Sequence, residues 1–117
     1  MKDIDERISI IVKACNDKKG FDIKGLDIRK LTTITDYFIL VSGNSTTQVL
    51  SIADEIEEKM MKAGYELLSK EGKESSRWVL LDFGDIIVHI FHREDREFYD
   101  LEKLWADSEE LTLDHIL

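Results

Sequence analysis

The sequence predicts an α/β domain of the α+β type, a mixed β-sheet of about five strands with helices packed on it. Three stretches carry that prediction. Trp78 to Phe91 writes a hairpin, Tyr37 to Val41 is an unbroken apolar run suited to a central strand covered on both faces, and Thr46 to Ala63 has a helical stripe with start and stop signals.

The hairpin also sets its own register. Gly84-Asp85 between two β-branched runs suits a two-residue turn of the primed type, which pairs Phe83 with Ile86, Leu81 with Val88 and Val79 with Ile90. These six apolar residues predict the buried side. The opposite parity pairs Asp82 with Ile87, Leu80 with His89 and Trp78 with Phe91. That face mixes a carboxylate and an imidazole with large aromatics. Two readings stand: another element covers it and satisfies both polar groups, or it is a docking surface on a rigid sheet.

In chain order, Asp3 to Lys19 predicts a helix, with Ile4, Ile8, Ile11, Val12 and Cys15 on one stripe and acidic residues in its first turn. Between Phe21 and Arg29 the alternation breaks at Gly25, which predicts a bulge or turn there and a short strand around Leu26 to Ile28, with Asp27 and Arg29 pointing away from the core. The helix from about Thr46 to Ala63 has Ser45 and Gln48 as a capping box, Gly64 as its stop, and Val49, Ile52, Ala53, Ile56 and Met60 as its buried stripe. Tyr65 to Ser69 predicts a short strand and Lys70 to Arg77 a charged loop. Beyond the hairpin, Phe98, Leu101, Leu104 and Trp105 fall at roughly helical spacing. Residues 106–117 are acidic with scattered Leu and Ile, expected either to be loosely held or to cover an apolar edge.

At 117 residues, with no internal repeat and no proline, the chain predicts a single domain spanning 1–117. A formal charge of -9 repels a phosphate backbone and favours a basic protein partner over nucleic acid as the main contact. One cysteine and no signal-like or spanning apolar run predict a reducing, cytoplasmic setting.

Polar candidates for chemistry are Asp82, Asp85, His89, His92 and Asp95. His89 and His92 have opposite strand parity, which argues against a shared metal, and Asp85 belongs to the turn. Asp82 and His89 share a face and suit a base and its orienter, yet no nucleophile accompanies them; a hydrogen bond between them within a surface patch is the simpler expectation. A strand, Gly43 and a capped helix suggest an anion site, but neither a loop lysine nor a phosphate-loop pattern is present, and Ser45 reads as a cap. Trp78, Phe91, Tyr99 and Trp105 are the aromatic candidates for recognition, with completion of the core as the alternative, above all for Trp105.

Thr35 to Gly43 with Ser45 and Gln48-Val49, then Trp78 to Asp85 with His89-Ile90-Phe91, then Arg96 to Trp105, together resemble the Iojap-related ribosomal silencing factor family over nearly the whole chain. The resemblance implies a fold related to nucleotidyltransferases but without their activity, catalytic residues or cofactor. Here Asp54 falls inside a helix and Asp82 and Asp85 flank a turn, so paired carboxylates for two metals are not expected. It further implies a partner, the large-subunit ribosomal protein numbered fourteen, and a factor that blocks joining of the small subunit and damps translation. The expected docking residues are Trp78, Leu80, Asp82, His89 and Phe91, with Arg96 and Tyr99 at the rim. A role in large-subunit assembly, a nucleotidyltransferase-like enzyme and a homodimer of the free protein are the alternatives.

Overall fold

The computed structural model describes residues 2–117, with side chains from residue 6 onward. Ile4 and the first-turn acids Asp3 and Asp5 of the expected first helix lie outside the described side chains. The elements run α1 (Lys2–Asp17), β1 (Phe21–Asp27), β2 (Tyr37–Gly43), α2 (Thr46–Lys62), β3 (Ser69–Glu71), β4 (Trp78–Asp82), β5 (Ile86–His92), α3 (Arg93–Tyr99), α4 (Leu101–Leu104) and β6 (Glu109–Glu110). The strands form one sheet in the order β3-β4-β5-β2-β1-β6. Among the described residues β2 and β5, at its centre, run parallel and the other neighbours are antiparallel.

Strand parity divides the molecule into two faces. Tyr37, Ile39, Val41, Val79, Leu81, Phe83, Ile86, Val88 and Ile90 point to one side, where Ile8, Ile11, Val12 and Cys15 of α1 and the full expected stripe of α2 meet them in the main core. The other side carries Leu26, Phe38, Leu40, Ile87 and Phe91, on which Leu101 and Trp105 pack. Every residue of β2 is buried, as its apolar run predicts for a central strand.

The hairpin register is the predicted one, with Val79 opposite Ile90, Leu80 opposite His89 and Trp78 opposite Phe91. Gly84 takes a positive φ of 93°, which a glycine at the first position of a primed turn accommodates without steric cost. At the start of α2, Ser45 Oγ accepts from the Gln48 amide, and the Gln48 side chain accepts from the Asn44 amide rather than that of Ser45. Its end is a Schellman motif: Gly64 N–H donates to Met61 O and Tyr65 N–H to Met60 O.

Three expectations need correction. The irregularity in β1 lies between Phe21 and Lys24, where Asp22 has a φ of 50°, and Gly25 is a regular strand residue beneath Leu111. The strand expected at Tyr65 to Ser69 starts only at Ser69. The run from Arg96 to Trp105 is two short helices, broken where Asp100 adopts a φ of 48°. For the acidic tail the sequence leaves two arrangements open, and it is held down: β6 pairs with β1, Leu111 N–H donates to Gly25 O at 2.7 Å, and Leu113 is buried in the main core. It supplies the sixth strand and covers the sheet edge, the second of the two arrangements expected of it.

Candidate docking surface

The second sheet face is unevenly covered. Leu101 and Trp105 pack over its β1–β2–β5 side, leaving Ile87, His89 and Phe91 buried. On β4, beyond them, Trp78, Leu80 and Asp82 are only half-buried, because the next strand, β3, is three residues long and exposed. Of the face defined by strand parity, Trp78 and Leu80 are therefore partly open to solvent. His89, 4% exposed, and Phe91, fully buried, lie beneath it and cannot themselves touch a partner. Arg96, 7% exposed, is likewise an interior residue rather than a rim contact.

Trp78, Asp82 and Arg96 each find local hydrogen-bond partners, and His89 is satisfied at one of its two ring nitrogens. The Trp78 indole Nε1–H donates to His89 Nδ1 at 3.1 Å. The imidazole meets the Phe38 ring edge-on at 4.6 Å and lies nearly parallel to Phe91 at 6.0 Å. Burial lowers its pKa to about 4, so at neutral pH it is uncharged and keeps Nδ1 free to accept. The expected Asp82–His89 hydrogen bond is not formed: Asp82 Oδ1 instead accepts from the Gly84 amide at 2.8 Å and stabilises the turn. The Arg96 guanidinium donates to the Asp22 carbonyl, to Ser42 Oγ at 2.9 Å and to Glu102 at 3.0 Å, tying α3 to β1, β2 and α4.

From Trp78 the aromatic surface continues outward. The Tyr99 ring stands 5.0 Å from it and is 53% exposed; Phe98 lies 5.0 Å from Tyr99, nearly perpendicular to it, and is 80% exposed. Helical spacing in the sequence assigns Phe98 to the packed side, and the structure places it outside. A signal was present, since adjacent helical residues such as Phe98 and Tyr99 point about 100° apart and cannot both seat on one neighbour. Trp105, in contrast, meets Phe38 edge-on at 5.3 Å and packs half-buried over the second core.

The surroundings are acidic. Glu71 lines a small hollow with Trp78 and Leu80, while Glu97 and Asp100 flank Phe98 and Tyr99 in the chain. Arg77, next to Trp78, is already bound by Asp95 at 2.6 Å and Glu94 at 3.2 Å. An apolar centre with acidic margins suits a partner offering apolar contacts and Lys or Arg around them.

The other carboxylates weighed for chemistry are dispersed: Asp54 faces Lys73 at 3.9 Å and Asp85 bonds Arg7 at 3.1 Å. Among the described residues no three His, Cys, Asp or Glu side chains converge on a metal-sized site. Cys15 is a buried core residue, its thiol pushed up to about 12 by burial. Among the described residues no helix is long and apolar enough to cross a membrane.

Comparison with known proteins is consistent along the whole chain. A family model described as "Ribosomal silencing factor during starvation" matches residues 1–117. The "Ribosomal silencing factor RsfS" of Bacillus subtilis is 42% identical over 107 residues, covering 92% of this chain and 91% of that protein. A mouse protein named "Mitochondrial assembly of ribosomal large subunit protein 1" is 32% identical over 102 residues, 85% of this chain and 45% of its own length. A crystal structure of a Chromobacterium violaceum protein superposes with a TM-score of 0.86 at 39% identity, covering 88% of this chain and 86% of that one.

Proposed function

Because the chain belongs to the ribosomal silencing factor family, we propose that its ribosome-associated role is exerted by docking on the large subunit and sterically preventing the small subunit from joining. In this reading it represses translation in the cytoplasm without catalysing a reaction. Its direct contact is the large-subunit ribosomal protein numbered fourteen. The observation that carries the reading is the half-open aromatic surface of Trp78, Leu80, Tyr99 and Phe98, set in acidic surroundings on a rigid sheet. Apolar anchors that a partner desolvates supply most of the energy of such contacts, and the chain's charge of -9 steers it to basic protein rather than bare RNA.

The carboxylates support the non-enzymatic part. Asp82 is occupied by its turn and Asp85 by Arg7, so neither is held ready for a nucleotide-bound metal. Nucleoside triphosphate with Mg²⁺ is expected to leave the thermal midpoint unchanged; a clear rise would revive an enzymatic reading. The Trp78→Ala protein is expected to fold and to lose co-sedimentation with purified large subunits, and undiminished co-sedimentation would remove this surface from the account.

The mouse relative's name favours a second reading, in which the same contact serves assembly of the large subunit. The two separate on deletion of the gene: assembly predicts precursor particles during rapid growth, whereas silencing predicts mature subunits that fail to be held apart in starvation.

A further inference from the structure

We propose that His89 is a positioning residue for the docking surface, acting through Trp78 without touching the partner. The inference rests on the docking role of Trp78 and adds what holds that side chain in place.

Trp78 is the innermost ring of the open surface. On a strand only half covered, a large side chain has freedom to swing toward solvent, and a partner would have to restrict that freedom on binding. Two features restrict it beforehand. Its ring packs 4.8 Å from Phe91 and 5.0 Å from Tyr99, and its indole N–H is directed at His89 Nδ1. Ring packing tolerates sliding; a hydrogen bond at 3.1 Å with one donor and one acceptor does not.

An indole N–H only donates, so its partner must present a lone pair. Neutral imidazole does so at one nitrogen, and donation from Trp78 assigns Nδ1 as that atom and Nε2 as the protonated one. Within the described structure His89 Nε2 is buried and has no hydrogen-bond partner. A phenyl or isobutyl group would fill the space between Phe38 and Phe91 without burying that unpaired polar atom. What His89 adds over an apolar residue is the Nδ1 acceptor.

The test combines spectroscopy with binding on the full chain. In wild type, imidazole ¹⁵N spectra at neutral pH are expected to show Nδ1 unprotonated, with the Trp78 indole N–H protected from exchange. A protonated Nδ1 overturns the inference whatever the variants do. His89→Leu removes the acceptor, and His89→Asn returns an oxygen near the Nδ1 position. The leucine variant is expected to remain folded, to lose indole protection and to bind purified large subunits about tenfold more weakly, the size of one hydrogen bond's effect. The asparagine variant is expected to recover both. In a Trp78→Phe background, which keeps a ring but has no N–H, His89→Leu should weaken binding no further.

An equal loss in that background would mean that His89 acts by some other route, and the inference fails. Normal binding by His89→Leu beside weakened Trp78→Ala overturns it alone. Normal binding by Trp78→Ala overturns the surface itself and this inference with it.

Discussion

Arg96 and Ser42, 54 positions apart in the chain, are joined by a buried hydrogen bond of 2.9 Å that sets α3 on the end of β2. The same guanidinium holds the Asp22 carbonyl and Glu102, so one side chain spans four elements. Replacing it breaks a buried network rather than a surface contact. Arg96→Ala is expected to cost about 2–3 kcal/mol in chemical denaturation, and Arg96→Lys nearly as much because an ammonium cannot reproduce the planar fork.

The buried imidazole gives stability a pH dependence. Its folded pKa of about 4 lies below the ordinary 6.5, so between those values the unfolded chain binds the extra proton. Stability therefore rises with pH across that window and falls on acidification, by about 2 kcal/mol between pH 7 and 5. Glu102, held below its ordinary 4.5 chiefly by Arg96, and Asp27, held below 3.8 chiefly by Arg29, add their loss at more acid pH. Urea midpoints at pH 7 and 5 are expected to converge in His89→Leu; an unchanged gap would assign the dependence elsewhere.

Leu113 tests the seating of the tail. It is 6% exposed in the main core, and truncation to Ala is expected to cost about 2–3 kcal/mol, read as a shift in the denaturation midpoint. The Leu111 amide, bonded to Gly25 O, should resist hydrogen exchange; exchange at the rate of an open chain would contradict a docked tail.

Phe98 should behave in the opposite way. At 80% exposure it contributes little to the fold, so Phe98→Ser is expected to change stability by no more than about 0.5 kcal/mol. Binding to large subunits should still fall about tenfold or more if the residue meets a partner. A stable variant with full binding would confine the contact to Trp78, Leu80 and Tyr99.

The parts of this structure readable from the sequence are those governed by local rules. Gly84-Asp85 allows one pairing of its flanking runs, and strand parity then assigns every side chain from Trp78 to Phe91 to a face. The α2 stripe and its caps follow from helical period and end chemistry alone. The burial of His89 and Phe91 depends on tertiary cover, with Leu101 and Trp105 packing over this face beyond the break at Asp100, and no local periodicity in the strands announces it. Arg96 reads as a surface charge because its partners are at Asp22 and Ser42, far away in the chain. Glu109–Glu110 forms a strand by backbone pairing with β1, which its side chains do not announce. The bulge at Asp22 lies beside Gly25, the residue whose type suggests irregularity, while Gly25 itself stays in regular pairing with Ile39.

The central claim is that occupancy of the large subunit by this protein excludes the small one. Purified subunits mixed with increasing amounts of it, followed by light scattering, measure that directly. The account predicts that whole-ribosome formation falls as the large subunit is saturated, and that Trp78→Ala restores it. Undiminished subunit joining with the protein bound at saturation would contradict it.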